Sequence, residues 1–286
     1  MTLFAFPPAS LEALRAAYPN RTCTLRHTLI DHPLLALDRL VALGTMLPPA
    51  SVEYNAGNLP IGIAPKDVPR PQLSIRETIR SIEQNGSWMV LKRIEQDAEY
   101  SALLHDVLAE VAPIVAHSSG PMLNLQGFIF ISSPGAVTPF HFDPEHNILC
   151  QIRGHKVMTI FPARDEAIVP QRFHEGYHTG GHRNLVWDEG FAARGVAHPL
   201  SAGDAVHVPV MSPHWVQNGD AVSISLSVTW RSEWSYEEAD AHACNKWLRR
   251  FGISPKRPHP LPRRNRAKAL GWRVLRRLGA KFPPAP

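Results

Sequence analysis

Apolar positions recur along the chain with two periods, and the change between them falls near residue 121. Residues 10 to 18 and 34 to 45 carry apolar side chains at helical spacing, whereas TLRHTLI at 24 to 30 alternates as a half-buried strand does. Ser74 and Glu77 form a capping-box pattern, which predicts a short helix ending near Gly86, and SWMVLKRI from residue 87 predicts a strand. From Asp97 onward Tyr100, Leu103, Leu104, Val107, Leu108 and Val111 fall on one helical stripe, which predicts a packed helix and no chemistry.

After Pro121 the texture becomes short apolar runs divided by Gly, Pro and Asn. Strands are expected near 126–132, 138–143, 147–153, 156–161, 204–209, 213–217 and 222–231, with an insert from about 163 to 200. Ser235 and Glu238 repeat the capping-box pattern and predict a helix ending at Gly252. A Pro-rich joint, SPKRPHPLP, then leads into a basic amphipathic stretch with Leu270, Val274, Leu275 and Leu278 on one side. The fold class expected is mainly β with helical additions: supporting helices and strands over 1–120, a sandwich or barrel over 121–234, and a basic helical extension over 235–286.

Length and composition narrow the classes. A chain of 286 residues with 44% hydrophobic content can bury one main core. Cys23, Cys150 and Cys244 are odd in number, far apart and in no C-x-x-C arrangement, so neither a disulfide framework nor a structural zinc site is expected. A metal would have to rely on His and carboxylate. There is no uncharged apolar run of transmembrane length, and no basic segment followed by an apolar one at the start, so a soluble, cytoplasmic protein without a transmembrane segment is expected.

The net charge of +5 hides an asymmetry. Residues 1 to 240 carry 17 Lys and Arg against 25 Asp and Glu, whereas 241 to 286 carry 13 and none. A tail of that kind can hold an acidic partner, nucleic acid or an anionic membrane surface by charge alone. Like-charge repulsion argues that its last part, 263 to 281, docks on an acidic partner rather than on another copy of itself.

Candidate chemistry centres on His141-Phe142-Asp143, because side chains at i and i+2 of a strand share a face. His214 follows 71 residues beyond Asp143, in a second turn region. Two histidines and one carboxylate on one side of an ion leave adjacent positions open, the arrangement of non-haem Fe(II) oxygenases. Lys156 follows the Gly154 turn and begins an apolar strand, a costly place for an ammonium unless an anion meets it. Ser223, Ser225, Ser227 and Thr229 alternate with Ile224, Leu226, Val228 and Trp230, so one face of the last strand is lined by small hydroxyls. Thr138 stands three residues before His141, the wrong parity for a shared face, so a bend at Pro139 is required.

The run from Thr138 to Lys156, T-x-x-H-x-D-x-x-x-N-x-x-x-Q-I-x-G-x-K followed by Phe161-Pro162, resembles the JmjC/cupin-like 2-oxoglutarate oxygenases. It is especially similar to the branch containing the asparaginyl hydroxylase of hypoxia-inducible factor, over residues 127 to 231. The resemblance implies a double-stranded β-helix, a jelly-roll or cupin-like barrel, in which His141, Asp143 and His214 hold Fe(II) as the catalytic centre. It implies 2-oxoglutarate and O2 as cosubstrates, with Lys156 and Thr138 on the distal carboxylate and Asn147 near the chelating end. Ser227 stands where the family often has an asparagine. Hydroxylation of a protein or peptide side chain is implied more than attack on a free metabolite, and demethylation would use the same chemistry. A homodimer through the helix at 236–251 is also implied, with Tyr236, Ala239, Ala243, Trp247 and Leu248 as its stripe.

Two other classes compete. A non-oxidative cupin, such as a metal-dependent isomerase or ligand sensor, would keep the three ligands but has no reason for Lys156, Thr138 and Asn147. A regulatory protein using the basic tail on nucleic acid would not need the ligand set, and no helix-turn-helix pattern accompanies it. Among the remaining histidines, His146 lies off the ligand face and is expected in a loop or facing substrate. His174, His178 and His182 are spaced i, i+4, i+8, but Gly176, Gly180 and Gly181 oppose a helix, so no second metal is expected there. Trp187, Phe191 and Trp215 are expected to pack together or to wall the substrate entrance.

Overall fold

From residue 123 onward strands follow one another with short turns except across an insert between Ile160 and Val196, and three strands from the preceding third join one of the two sheets. The computed structural model describes residues 4–63, 67, 69, 73–260 and 264–279. Its elements begin with α1 (Pro8–Ala17), β1 (Cys23–Arg26), α2 (Leu37–Met46), β2 (Val52–Ala56), α3 (Ile75–Arg80), β3 (Ser87–Lys92) and α4 (Ala98–Ser119). Then come β4 (Leu123–Ser132), β5 (Val137–His141), β6 (His146–Arg153), β7 (His155–Ile160), α5 (Gln171–Tyr177) and β8 (Val196–Ser201). The chain continues through β9 (Asp204–Val208), β10 (His214–Asn218), β11 (Ser223–Arg231), α6 (Glu233–Arg249) and α7 (Arg266–Arg277).

Two antiparallel sheets result, one ordered β1-β9-β6-β11-β4-β3-β2 and the other β5-β10-β7-β8. This is the mainly β fold with helical additions that the sequence predicts. The larger sheet packs its outer face on the helices: Ile224, Leu226, Val228 and Trp230 of β11 join Leu40, Val107 and Val111 in one core. Its inner face meets the smaller sheet, where Leu149, Val206 and Val208 pack on Met158, Ile160 and Val216. The two apolar periods of the sequence thus correspond to two layers of one molecule.

Local chemistry explains several boundaries. At α3 the Ser74 hydroxyl accepts from Glu77 N–H while the Glu77 carboxylate accepts from Ser74 N–H, so the capping box forms as written. The Asp97 carboxylate accepts from the N–H groups of Glu99 and Tyr100 and starts α4. Between β6 and β7, Gly154 has φ +71, and a Cβ there would lie 2.3 Å from the carbonyl oxygen of Val222. Only glycine fits that turn, which sets where Lys156 enters its strand.

The structure corrects the sequence reading at three places. The strand β8 lies inside the expected insert; Pro199 hides it, and its edge position is where a strand tolerates proline. The cap of α6 is Ser232, with Ser235 three residues into the motif, so the helix begins as soon as β11 ends. A short helix, α5, forms despite Gly176, and α6 packs beside it: Arg249 pairs with Glu175 at 2.8 Å, and Lys246 donates to Thr179, just past the helix, at 2.7 Å.

The tail has packing within the chain that the sequence reading did not include. α7 packs on α6 of the same chain, with Trp272 and Leu275 against Ala243, Cys244, Trp247 and Leu248. Arg266 pairs with Glu237 at 3.1 Å and Arg273 with Asp240 at 2.6 Å. The first acidic partner of the basic stretch is therefore α6 itself, and Ala243, Trp247 and Leu248 of the expected dimer stripe are covered within the chain. No helix among the described residues is long and apolar enough to cross a membrane.

Candidate active site

The residues His141, Asp143 and His214 come together where β5 meets β10. His141 lies directly opposite His214, while Thr138 lies opposite Val216, so three residues of β5 span two of β10. That irregularity at Pro139 and Phe140 is a bulge, and it resets the side-chain parity. Thr138 and His141 consequently line the same cavity, which simple alternation forbids. Phe140 and Phe142 point the other way into a fully buried cluster with Phe161, Leu185 and Trp234, which anchors the strand end.

Second contacts orient both imidazoles. Nδ1 of His141 is 2.6 Å from the carbonyl oxygen of Pro139, and Nδ1 of His214 is 2.9 Å from that of Ser212. A carbonyl only accepts, so each Nδ1 carries the hydrogen and each Nε2 keeps its lone pair. Both Nε2 atoms lie 3.6 Å from Oδ2 of Asp143. That is beyond a hydrogen bond, and a divalent cation bonded at about 2.1 Å to each donor would fit between them. All three donor atoms lie within 4.8 Å of one another.

Electrostatics set the right protonation for such a set. Burial, with His141 adjacent, pushes His214 down to about 3, so it is a neutral donor near pH 7. Burial would raise Asp143, but Arg183 and the two histidines outweigh it and hold the carboxyl well below the usual range. Arg183 donates to Oδ1 of Asp143 at 2.6 Å, leaving Oδ2 to face the histidines.

A cavity of about 820 Å3 between the sheets contains this trio together with Thr138, Asn147, Lys156 and Ser227. Lys156 is 5% exposed, and burial pushes its ammonium down to about 7; no carboxylate among the described residues offsets that. The Ser227 hydroxyl donates to Oδ1 of Asn147 at 2.7 Å, which leaves the Asn147 amide hydrogens for another acceptor. Ser223 and Ser225 are instead tied to Gln151, at 3.0 and 2.7 Å, so only part of the hydroxyl face is open.

Other expectations resolve differently. His146 is buried on the outer face of its sheet, stacked on Trp230 and 2.9 Å from the Ser232 hydroxyl, so it faces neither loop nor substrate. Its strand parity, opposite to that of Asn147, is the reason. His174 and His178 stack on His242 of α6, while His182 is exposed and apart from them. Trp187, Phe191 and Trp215 pack together around Phe140. The sequence reading missed Arg183, which sits in the insert with no motif around it. It also missed the contribution of β2 and β3, whose Glu53, Tyr54, Asn55, Trp88 and Lys92 line the same cavity.

Comparison with known proteins bears on the same region. Residues 70–236 match the model of the cupin-like domain family. Over 42 residues, 15% of this chain and 9% of the other protein, the chain is 40% identical to JmjC domain-containing protein D of Dictyostelium discoideum. The solved structure of Escherichia coli YcfD matches 96% of this chain and 68% of its own, with TM-score 0.56 and 16% identity. The ribosomal oxygenase YcfD in complex with cobalt and 2-oxoglutarate matches 95% and 68%, with TM-score 0.53 and 15% identity. Likeness at that identity is likeness of fold. The family model, in contrast, spans more than half of the chain, and the chain belongs to the cupin-like domain family.

Proposed function

We propose that the protein is an Fe(II)- and 2-oxoglutarate-dependent oxygenase that hydroxylates a side chain of a protein or peptide. The observation that carries this is the buried ammonium of Lys156, without a counter-charge, in the same cavity as His141, Asp143 and His214. A buried cation that nothing offsets is costly, and an anionic ligand removes the cost. A non-oxidative cupin would leave that lysine unexplained, and a protein acting only through its basic tail would leave the whole cavity so.

In this reading the two Nε2 atoms and Oδ2 of Asp143 hold Fe(II) on one side, and the Nδ1 bonds to Pro139 and Ser212 fix the rings. When bound, Fe(II) and 2-oxoglutarate supply the oxidising chemistry that places an oxygen atom from O2 into a C–H bond, releasing succinate and CO2. Lys156 and Thr138 receive the distal carboxylate of 2-oxoglutarate. Asn147, its amide oriented by Ser227, serves the chelating end. The remainder of the cavity, toward Tyr54, Asn55 and Trp88, leaves room for a substrate side chain and shields it from water. A protein substrate accords with the naming of YcfD as a ribosomal oxygenase. A cytoplasmic location accords with the same reading.

Arg183→Gln is expected to weaken metal binding about tenfold or more, because Asp143 loses the cation that orients its free oxygen. A cobalt(II) titration followed by absorbance measures this, and unchanged affinity would remove Arg183 from the site. The reaction itself is tested by anaerobic loading with Fe(II) and 2-oxoglutarate, admission of O2, and quantification of succinate. Intact-mass analysis of host proteins then seeks the addition of one oxygen atom. Absence of succinate from metal-loaded protein, with or without host extract, would overturn the oxygenase reading.

A further inference from the structure

The helix α7 carries two apolar faces, and α6 covers only one of them. Ala269 and Trp272 are buried against α6. On the opposite side Leu270, Val274 and Leu278 are 58%, 53% and 79% exposed. At 3.6 residues per turn they occupy an arc of about 80°, with exposed Ala267 inside it. Arginines border this row. Arg266 and Arg273 reach back to Glu237 and Asp240, whereas Arg264 and Arg277 are exposed and have no carboxylate partner among the described residues. The sequence from 241 to 286 contains no acidic residue at all.

We infer that this outer face of α7 docks the protein on an anionic lipid surface. The aliphatic row enters the headgroup region, and Arg264 and Arg277 meet acidic headgroups, with their stems lying along the apolar boundary. A helix of marked amphipathicity, low overall hydropathy and arginine-rich borders has the chemistry of an interfacial helix. Other occupants fit less well. A second copy would bring Arg264 and Arg277 toward their own counterparts, with no carboxylate on α7 to offset them. Nucleic acid would satisfy the arginines but press three aliphatic side chains against a charged backbone to no benefit. Val274 and Leu278 are open to solvent, while Leu270 stands at the edge of a cleft that α7 forms with Glu233, Glu237 and Asp240 of α6.

The test uses the full chain and sedimentation with vesicles. Protein should pellet with vesicles containing about 30% phosphatidylserine in phosphatidylcholine, and not with phosphatidylcholine alone, at about 0.1 M salt. The triple variant Leu270→Ser, Val274→Ser, Leu278→Ser should bind at least about tenfold more weakly while melting as wild type does, since these side chains are exposed. Arg264→Gln with Arg277→Gln should weaken binding and flatten its salt dependence. Equal binding by the triple variant would overturn the proposal in favour of charge alone. So would failure of wild type to pellet, whether or not homopolymeric RNA binds. A change of oligomeric state in the triple variant, measured by sedimentation equilibrium, would assign the face to a second copy instead.

Discussion

His214→Ala is expected to lower Fe(II) affinity by more than about a hundredfold and to abolish succinate release, while the protein still unfolds in one cooperative transition close to that of wild type. Groups that merely orient a metal ligand already cost about 10- to 100-fold when removed, so loss of a donor atom should cost more. The fold should survive because His214 faces an existing cavity rather than packed core, and Phe140 and Phe142, which flank its partner His141, lie in a separate buried cluster. His141→Ala should behave alike, since Asp143 is equally distant from both rings. Anaerobic cobalt(II) or Fe(II) titration with thermal melting monitored by circular dichroism checks both halves. Wild-type affinity in both variants would show that the trio is not the metal site.

Lys156→Met is expected to raise the 2-oxoglutarate requirement at least about tenfold, since a charge-assisted bond to a carboxylate contributes roughly 1.5–3 kcal/mol. The same substitution should stabilise the ligand-free protein. Burial lowers the Lys156 ammonium to about 7 in the folded state, whereas the unfolded chain keeps the ordinary lysine value. Between these values the unfolded state binds the extra proton, so wild-type stability should rise with pH from about 7 toward 10, relative to Lys156→Met. Saturating 2-oxoglutarate should remove that dependence by pairing the ammonium. Melting curves across this pH range, with and without the cosubstrate, measure both effects. A difference between wild type and variant that is flat in pH would mean that Lys156 reaches solvent instead of an anion.

Several features of this protein were determined by its sequence alone. Helices with a sustained stripe, such as Tyr100 to Val111, and strands with clean alternation, such as Ser223 to Trp230, depend on local periodicity and formed where that periodicity predicts. The pairing of His141 with Asp143 and the isolation of Lys156 in an apolar strand were equally legible, because both follow from which face a side chain takes and what burial of a charge costs. Tertiary structure decided the remainder. Thr138 turns inward because β5 and β10 pair with a bulge, and register between residues 73 to 80 positions apart leaves no local trace. Arg183 reaches Asp143 from the insert, 40 positions along the chain, and α5 in the same insert meets α6 through Glu175, with Thr179 just beyond it also bonded to α6. The basic tail read as a face awaiting an acidic partner, yet Glu237 and Asp240 neutralise two of its arginines, since helix packing brings together residues that are about 30 positions apart. Short-range patterns fix faces and charges; only long-range contacts choose which of those faces meet.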